Sequence, residues 1–440
     1  MEYISRYIDS LLLQWKCQER RKPLLLRGAR QVGKTSAVRH LAEQFDYYIE
    51  VDLNEQRQLH TLFEQGLSPE QIAMQMGVIL EVPVVAGRTL LFLDEIQACP
   101  AAINSLRYFY ERFSDLHIIA AGSLLEFTLA ELSSFGVGRV ESVFMYPLCF
   151  DEFLLAVGQQ MLLSVIRQAS YDKPLVQPVH EKAVQWVRLF MLIGGMPEVI
   201  AYYRDTKDLL GCQRLLDTLI VSYADDFKKY SRQANPLLLN KVLLSVAEQH
   251  AGKFVYSHVD RLERVLNIKA ALQMLCRAGL VIPVTGTAGN GVPLEAEVND
   301  RYRKMLVVDT GLMQRLLHLD VTPTLIDGSA DVVNKGVLAE AFVGLELMKQ
   351  QSAFAPAQLY YWQREERNAL AEVDYLAEVK GKVLPIEVKA VAGGRMRSLQ
   401  MFINAKKTEY GVRLSLDNFS KEGNIRAYPL YAVRNIFINN

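Results

Sequence analysis

Three short runs of continuous apolar residues mark the first part of the chain: Leu24-Leu25-Leu26, Leu90-Leu91-Phe92-Leu93 and Ile118-Ile119-Ala120-Ala121. Runs of this length without polar alternation fit strands covered on both faces, as in a parallel sheet. Helix-forming stretches such as Ser36 to Ala42 lie between them, so residues 1–150 are expected to form an α/β domain around a parallel sheet. From about residue 151 the period becomes helical. Asp151 to Val157, Glu181 to Ile193 and Leu209 to Tyr230 read as helices, with Pro174, Pro178 and Gly194-Gly195 as punctuation, which predicts a helical lid over 151–235.

The pattern changes again over 236–318. Ser257 with Asp260 predicts the capped start of one short helix, and Asn267 caps a second, Ile268 to Ala278, which Gly279 closes. Leu280 to Val284 and Val292 to Ala296 predict two strands around a Gly-rich turn, and this order is that of a winged helix-turn-helix. On the second helix Lys269, Gln273 and Arg277 recur every four residues, opposite a stripe of Ile268, Leu272 and Leu275. In the last segment, 319–440, the period is two. Ala371 to Val379 and Lys382 to Ala390 flank Lys380-Gly381, which suits a type I′ hairpin turn. Pairing Val379 with Lys382 sets Asp374 opposite Glu387, with Lys389 on their face. Like charges across a hairpin are destabilising unless something neutralises them. Either a divalent cation does so, with Lys389 beside it to position or help activate a water, or Lys389 alone is the counter-ion. Upstream, Glu340 falls among Val337, Val343 and Leu347 on a helix predicted from Gly336 to Met348, an unusual place for a free carboxylate.

The first apolar run leads into Gly28-Ala29-Arg30-Gln31-Val32-Gly33-Lys34-Thr35, a phosphate-binding loop in the strand, loop, helix context it requires. Gly28 and Gly33 let the backbone wrap a phosphate, with amide groups and the positive end of the next helix aimed at it. Lys34 would span the β and γ oxygens of ATP, and Thr35 would ligate Mg²⁺. The second run ends in Asp94-Glu95: Asp94 suits the Mg²⁺ shell, and Glu95 suits orientation and deprotonation of the attacking water. The third ends in Gly122-Ser123, where Ser123 either contacts the γ-phosphate or attacking water or simply ends a strand.

Composition narrows the partners. The 440 residues carry 49 basic and 49 acidic side chains, so no global field favours nucleic acid or membrane, and two to four domains are expected. The stretch Phe227 to Lys304 departs from this balance, with 12 Lys and Arg against 6 Asp and Glu, which suits phosphate contact by Lys269, Gln273 and Arg277. The alternative is a winged-helix module that binds protein. The first residues lack a signal-peptide layout, and no apolar stretch approaches a membrane span. Cys17, Cys99, Cys149, Cys212 and Cys276 show no metal-ligand spacing, so free thiols in a reducing cytoplasm are expected.

Taken together, Arg30-Gln31-Val32-Gly33-Lys34-Thr35, Asp94-Glu95-Ile96-Gln97, Gly122-Ser123, Gly138-Arg139 and Pro147 to Phe153 resemble a widespread prokaryotic group of AAA+ ATPases in which the ATPase core precedes a C-terminal domain of unknown function. Gly194-Gly195-Met196-Pro197-Glu198 and Asp309-Thr310-Gly311-Leu312 extend the likeness along the chain. The resemblance implies a P-loop AAA+ parallel sheet with helical lid, then a winged helix-turn-helix and a C-terminal α/β nuclease-like domain. Within it Arg139 is the candidate γ-phosphate-sensing arginine or arginine finger, acting in its own subunit or a neighbour's; otherwise it is a surface residue of a Gly-rich loop. The set Glu340, Asp374, Glu387, Lys389 resembles the PD-(D/E)XK nuclease active site, although Val373 stands where a proline often precedes the aspartate. ATP, Mg²⁺ and a second divalent cation at the C-terminal domain are the implied cofactors. DNA is the implied partner, with a homo-oligomer or a protein partner as further expectations.

Overall fold

The computed structural model describes residues 2–122, 129, 138–228, 235–249, 252–319, 335–366, 369–389 and 396–438. The chain forms two compact units, Met1–Pro147 with Ser352–Pro356, and Leu148–Gln351 with Ala357–Asn440.

In the first unit β1 (Leu24–Arg27), β2 (Tyr47–Asp52), β3 (Thr89–Asp94), β4 (His117–Ala121) and β5 (Glu141–Phe144) form a parallel sheet in the order β2-β3-β4-β1-β5. The three apolar runs are β1, β3 and β4, the inner strands. Leu25, Leu91, Leu93, Ile118 and Ala120 pack on one face against Ile72 and Met76 of the helix Pro69–Leu80 and Ile103, Leu106 and Phe109 of the helix Pro100–Arg112. Leu24, Leu26, Leu90, Phe92 and Ile119 are equally buried on the other face, so both faces are covered and no polar alternation is required. After β1 the chain crosses to the far edge at β2 and works back, and β5 then adds on the opposite side of β1. The strand order therefore reverses beside β1, and the crevice for a ligand opens at the C-terminal ends of β1, β4 and β3.

The second unit begins with helices. Phe150–Ala156, Gln177–Ile193 and Leu209–Phe227 match the predicted ones, the last stopping at Phe227. Gln160–Gln168 and Pro197–Thr206 are two further helices in the same stretch. Two distant motifs meet here: Asp309 caps the helix Thr310–Leu316 by accepting from the Leu312 amide (3.1 Å) and also accepts from the Gly195 amide at 2.5 Å. A Cβ on Gly194 would lie 2.0 Å from the Asp309 carboxylate, so only glycine fits.

Eight strands follow, β6 (Val281–Thr287), β7 (Val298–Val307), β8 (Leu359–Glu366), β9 (Ala369–Val379), β10 (Lys382–Val388), β11 (Gly411–Ser415), β12 (Ser420–Glu422) and β13 (Ile425–Pro429), in one sheet ordered β12-β13-β11-β10-β9-β8-β6-β7. Several expectations for 236–318 are corrected. The segment predicted as a second strand, Val292 to Ala296, contains the start of a 3-10 turn, Leu294–Glu297, and the strand is β7, beginning at Val298. The helix begins at Val265 with Arg264 at its N-cap; Asn267 sits inside it, bonded to Glu263 one turn back at 2.8 Å. Near Ser257 there is only the 3-10 turn Tyr256–His258, and Asp260 caps the following bend by accepting from the Leu262 amide. The expected boundary at 318/319 also crosses a continuous hydrogen-bonded layer, because β6 pairs with β7 on one side and in parallel with β8 on the other. The β9–β10 hairpin keeps the predicted register, Val379 with Lys382, around a turn whose two residues have φ of 49° and 74°, as a type I′ turn demands. No helix among the described residues is long and apolar enough to cross a membrane.

Candidate functional site

The loop from Gly28 to Gly33 joins β1 to the helix Lys34–Ala42. Gly28 has φ 138°, and a Cβ there would lie 2.1 Å from the Met145 carbonyl oxygen, so the first loop glycine is a steric requirement. Gly33 caps the helix at φ 97°, a conformation that turns the following amides toward the loop interior. Lys34 is buried and folded over the loop, its Nζ donating to the carbonyls of Gly28 (2.9 Å) and Ala29 (2.8 Å). Burial lowers its pKa to about 8, even though Glu95 and Asp94 favour the charged form. Thr35 Oγ1 donates to Asp94 Oδ2 at 2.7 Å, which ties the loop helix to the end of β3. Burial raises the Asp94 carboxyl above its ordinary value, against the Thr35 bond. Glu95, at φ 48°, turns sharply out of the strand, and its carboxylate accepts from Gln97 Nε2. A hydroxyl and a carboxylate meeting beside a buried lysine are the donor set that a Mg²⁺–phosphate group takes.

Sequence reasoning missed Arg6. Its guanidinium donates to the Val32 carbonyl (3.1 Å) and to the Tyr146 carbonyl (2.8 Å), so it fastens the phosphate loop to the segment after β5. No local pattern signals this, since the partners are 26 and 140 residues away. Ser123 lies outside the described residues. Arg139 is exposed and ion-paired with Glu111, in the last turn of the helix Pro100–Arg112. The register Leu24↔Glu141 sets Arg139 at the N-terminal edge of the sheet, the edge away from the phosphate loop. The four residues of β1 alone put about 13 Å between the two edges. A γ-phosphate role in its own chain is therefore corrected; the position is compatible with a role toward a second copy or with a surface residue paired to Glu111.

In the second unit Glu340, Glu372 and Asp374 bring carboxylate oxygens within 4.8 Å of one another. Glu340 comes from the helix Lys335–Lys349, and Glu372 and Asp374 share a face of β9. Asp374 Oδ2 accepts from the Val388 amide at 2.7 Å, across the hairpin beside Glu387. Glu387 is buried; its Oε1 accepts from Lys389 Nζ at 2.7 Å, and its Oε2 has no hydrogen-bond partner among the described residues. Burial raises Glu340 and Glu387 to about 7 each, helped in both by the charge of Asp374, while Lys304 pulls Glu340 down and Lys389 pulls Glu387 down. Glu372 and Lys304 are the residues that sequence reasoning missed. Glu372 was legible, because position i−2 on a strand shares the face of Asp374. Lys304 of β7 was counted in the basic surplus of a DNA-facing surface; it is buried, 1 % exposed, bonded to Glu340 Oε1 at 2.9 Å and paired with Glu372.

Lys269, Gln273 and Arg277 are exposed on the helix Val265–Arg277, while Ile268, Leu272 and Leu275 are buried beneath. All three line one cavity of about 460 Å³, together with Tyr256 and Arg303 of β7. Lys269 Nζ stands 5.4 Å over the Tyr256 ring.

A family model for the AAA domain matches residues 20–154, and two further models, both domains of unknown function (DUF8612 and DUF4143), match 184–322 and 335–433. A search of curated proteins finds no match. Among solved structures, a Walker-type ATPase of Pyrococcus abyssi aligns with 72% of this chain and 96% of its own, at 16% identity and a TM-score of 0.46. The ORC1 protein of Aeropyrum pernix, in complex with DNA, aligns with 73% and 92%, at 13% identity and a TM-score of 0.29. Both superpositions are too loose to bear on function. The phosphate loop, the Thr35–Asp94 contact and the family match over the same residues together make residues 20–154 a P-loop ATPase domain of the AAA type.

Proposed function

We propose that the chain is a Mg²⁺-dependent ATPase that acts on DNA, through a winged-helix-like element made of the helix Val265–Arg277 with β6 and β7 and a nuclease-like arrangement on the rest of the same sheet. In the nucleotide site Thr35 and Asp94 would hold Mg²⁺, which would supply neutralisation of phosphate charge; Lys34, now on the Gly28 and Ala29 carbonyls, would turn to the phosphate oxygens, and Glu95 would orient and deprotonate water. The observation that carries the DNA reading is the carboxylate cluster. Glu340, Glu372 and Asp374 converge within 4.8 Å, a set that fits a divalent cation, and the buried Oε2 of Glu387, on the next strand, has no hydrogen-bond partner among the described residues. Lys389, bonded to Glu387, would stand beside such an ion to position a water. Lys269, Gln273 and Arg277 would contact phosphates.

One observation favours a second reading, a nucleotide-dependent switch that binds a protein and does not cut. Lys304 already supplies a buried positive charge to Glu340 and Glu372. ATPase turnover measured with and without single-stranded, duplex and branched DNA separates the two. Stimulation by DNA is expected; turnover indifferent to all three would favour the switch.

A further inference from the structure

At the turn end of the β9–β10 hairpin, about 20 Å along the strands from Asp374, lies a cavity of about 710 Å³. Its ionisable lining is one-sided. Among the described residues, Lys380, Lys382, Lys406, Lys407 and Arg426 face it against a single carboxylate, Glu409, in a chain whose charges balance overall. Glu409 is occupied by Lys382 at 3.3 Å, and Lys406 is held by the Asn290 side-chain oxygen at 2.5 Å. Lys380 and Lys407 make no ion pair with any described residue.

Three features give this cavity the character of a built site. Arg426 lies 3.5 Å from the centroid of the Tyr410 ring and 5.3 Å from that of Tyr171, so its guanidinium plane is fixed by aromatic contact. Thr408 Oγ1, buried in the same wall, has no hydrogen-bond partner among the described residues. The two unpaired lysines both stand in the left-handed region, Lys380 at φ 49° and Lys407 at φ 53°, where glycine or asparagine would be easier. Each holds its turn while bringing a cation to the cavity.

We propose that this cavity is a second phosphate site that takes an oligophosphate anion, at least two linked phosphate groups, carried by a nucleic-acid strand or by a free nucleotide. Arg426, held against the Tyr410 ring, gives a fixed positive charge, the lysines give mobile charge, and Thr408 gives a hydroxyl. The site is independent of the carboxylate cluster and does not rest on the DNA reading above.

The test uses the full chain with Lys34→Ala, which removes phosphate binding at the first site, and adds Lys380→Gly with Lys407→Gly. Glycine suits both backbone angles, so Tm should stay within a few degrees or rise; Lys380→Asn with Lys407→Asn is the second variant should the first fail to fold. The probes are tripolyphosphate and a fluorescein-labelled oligothymidylate. Affinity for at least one should fall about tenfold or more, and the salt slope for the strand should drop by about 1.4 if both lysines touch its phosphates. Loss of strand affinity assigns the site to nucleic acid, and loss for tripolyphosphate alone assigns it to a free oligophosphate. Unchanged affinity for both probes in the folded double variant overturns the proposal.

Discussion

Lys34 shows how one buried group carries both chemistry and a measurable signature. Burial lowers its pKa to about 8. Near that pH a substantial fraction is neutral, and bound phosphates restore the charge, so ATP binding should take up a proton. Calorimetry at pH 8 in buffers of different ionisation enthalpy should find uptake of about half a proton, fading toward pH 6 where the free lysine is already charged. Lys34→Ala should abolish both the uptake and turnover. Glu95→Gln should retain ATP binding and lose hydrolysis, because it keeps the side chain's shape and removes the base. Wild-type turnover in either variant would displace the assigned role.

At the scale of elements, the helix Val265–Arg277 separates burial from recognition along one stripe. Ile268, Leu272 and Leu275 fix its underside, and Lys269, Gln273 and Arg277 share the exposed cavity wall with Arg303. Lys269→Glu with Arg277→Glu should therefore leave the fold intact by circular dichroism while weakening duplex binding. If both contact phosphates, the dependence of log affinity on log salt should flatten by about 1.8. A salt titration superimposable on wild type would assign this face to protein contact. The β9–β10 hairpin makes the complementary point: its type I′ turn and period-two pattern hold Asp374 near Glu387 without help from distant residues.

For the whole molecule, pH and oligomerisation are the informative variables. Glu340 and Glu387 are raised by burial to about 7 in the fold, against about 4.3 in an unfolded chain. The folded state thus binds protons more tightly, and the stability this contributes is full below pH 4.3 and is lost as pH rises through 7. Without divalent cation, the second unit should melt lower at pH 8 than at pH 6. Mn²⁺ or Mg²⁺ favours the ionised carboxylates and should raise Tm more at pH 8 than at pH 6. Glu387→Gln should blunt both effects; a cation-independent Tm would leave Lys304 and Lys389 as the counter-ions. Arg139 belongs to the same scale, since its edge of the sheet faces away from its own phosphate loop. Arg139→Ala should lower kcat by about 10³-fold if it is a finger, and mixing that variant with Glu95→Gln protein should recover activity in mixed assemblies. Failure of recovery, with kcat unchanged in the single variant, would return Arg139 to its surface pairing with Glu111.

The amino-acid sequence by itself determined what short-range geometry controls. The phosphate loop, the three inner strands, the exposed stripe on Val265–Arg277 and the hairpin register each depend on residues within a turn or a strand of one another, and each was legible. Asn267 and Val292 to Ala296 were misread because side-chain caps and short apolar runs compete with tertiary packing, which moved the helix start to Val265 and the strand start to Val298. Only the tertiary structure could seat Lys304 between Glu340 and Glu372, fasten Arg6 to the phosphate loop, turn Arg139 to the far edge and merge β6 and β7 into the eight-stranded sheet. Those partners lie tens to more than a hundred residues apart. Strand order and burial decide such meetings, and a local pattern of apolar and polar positions carries no record of either.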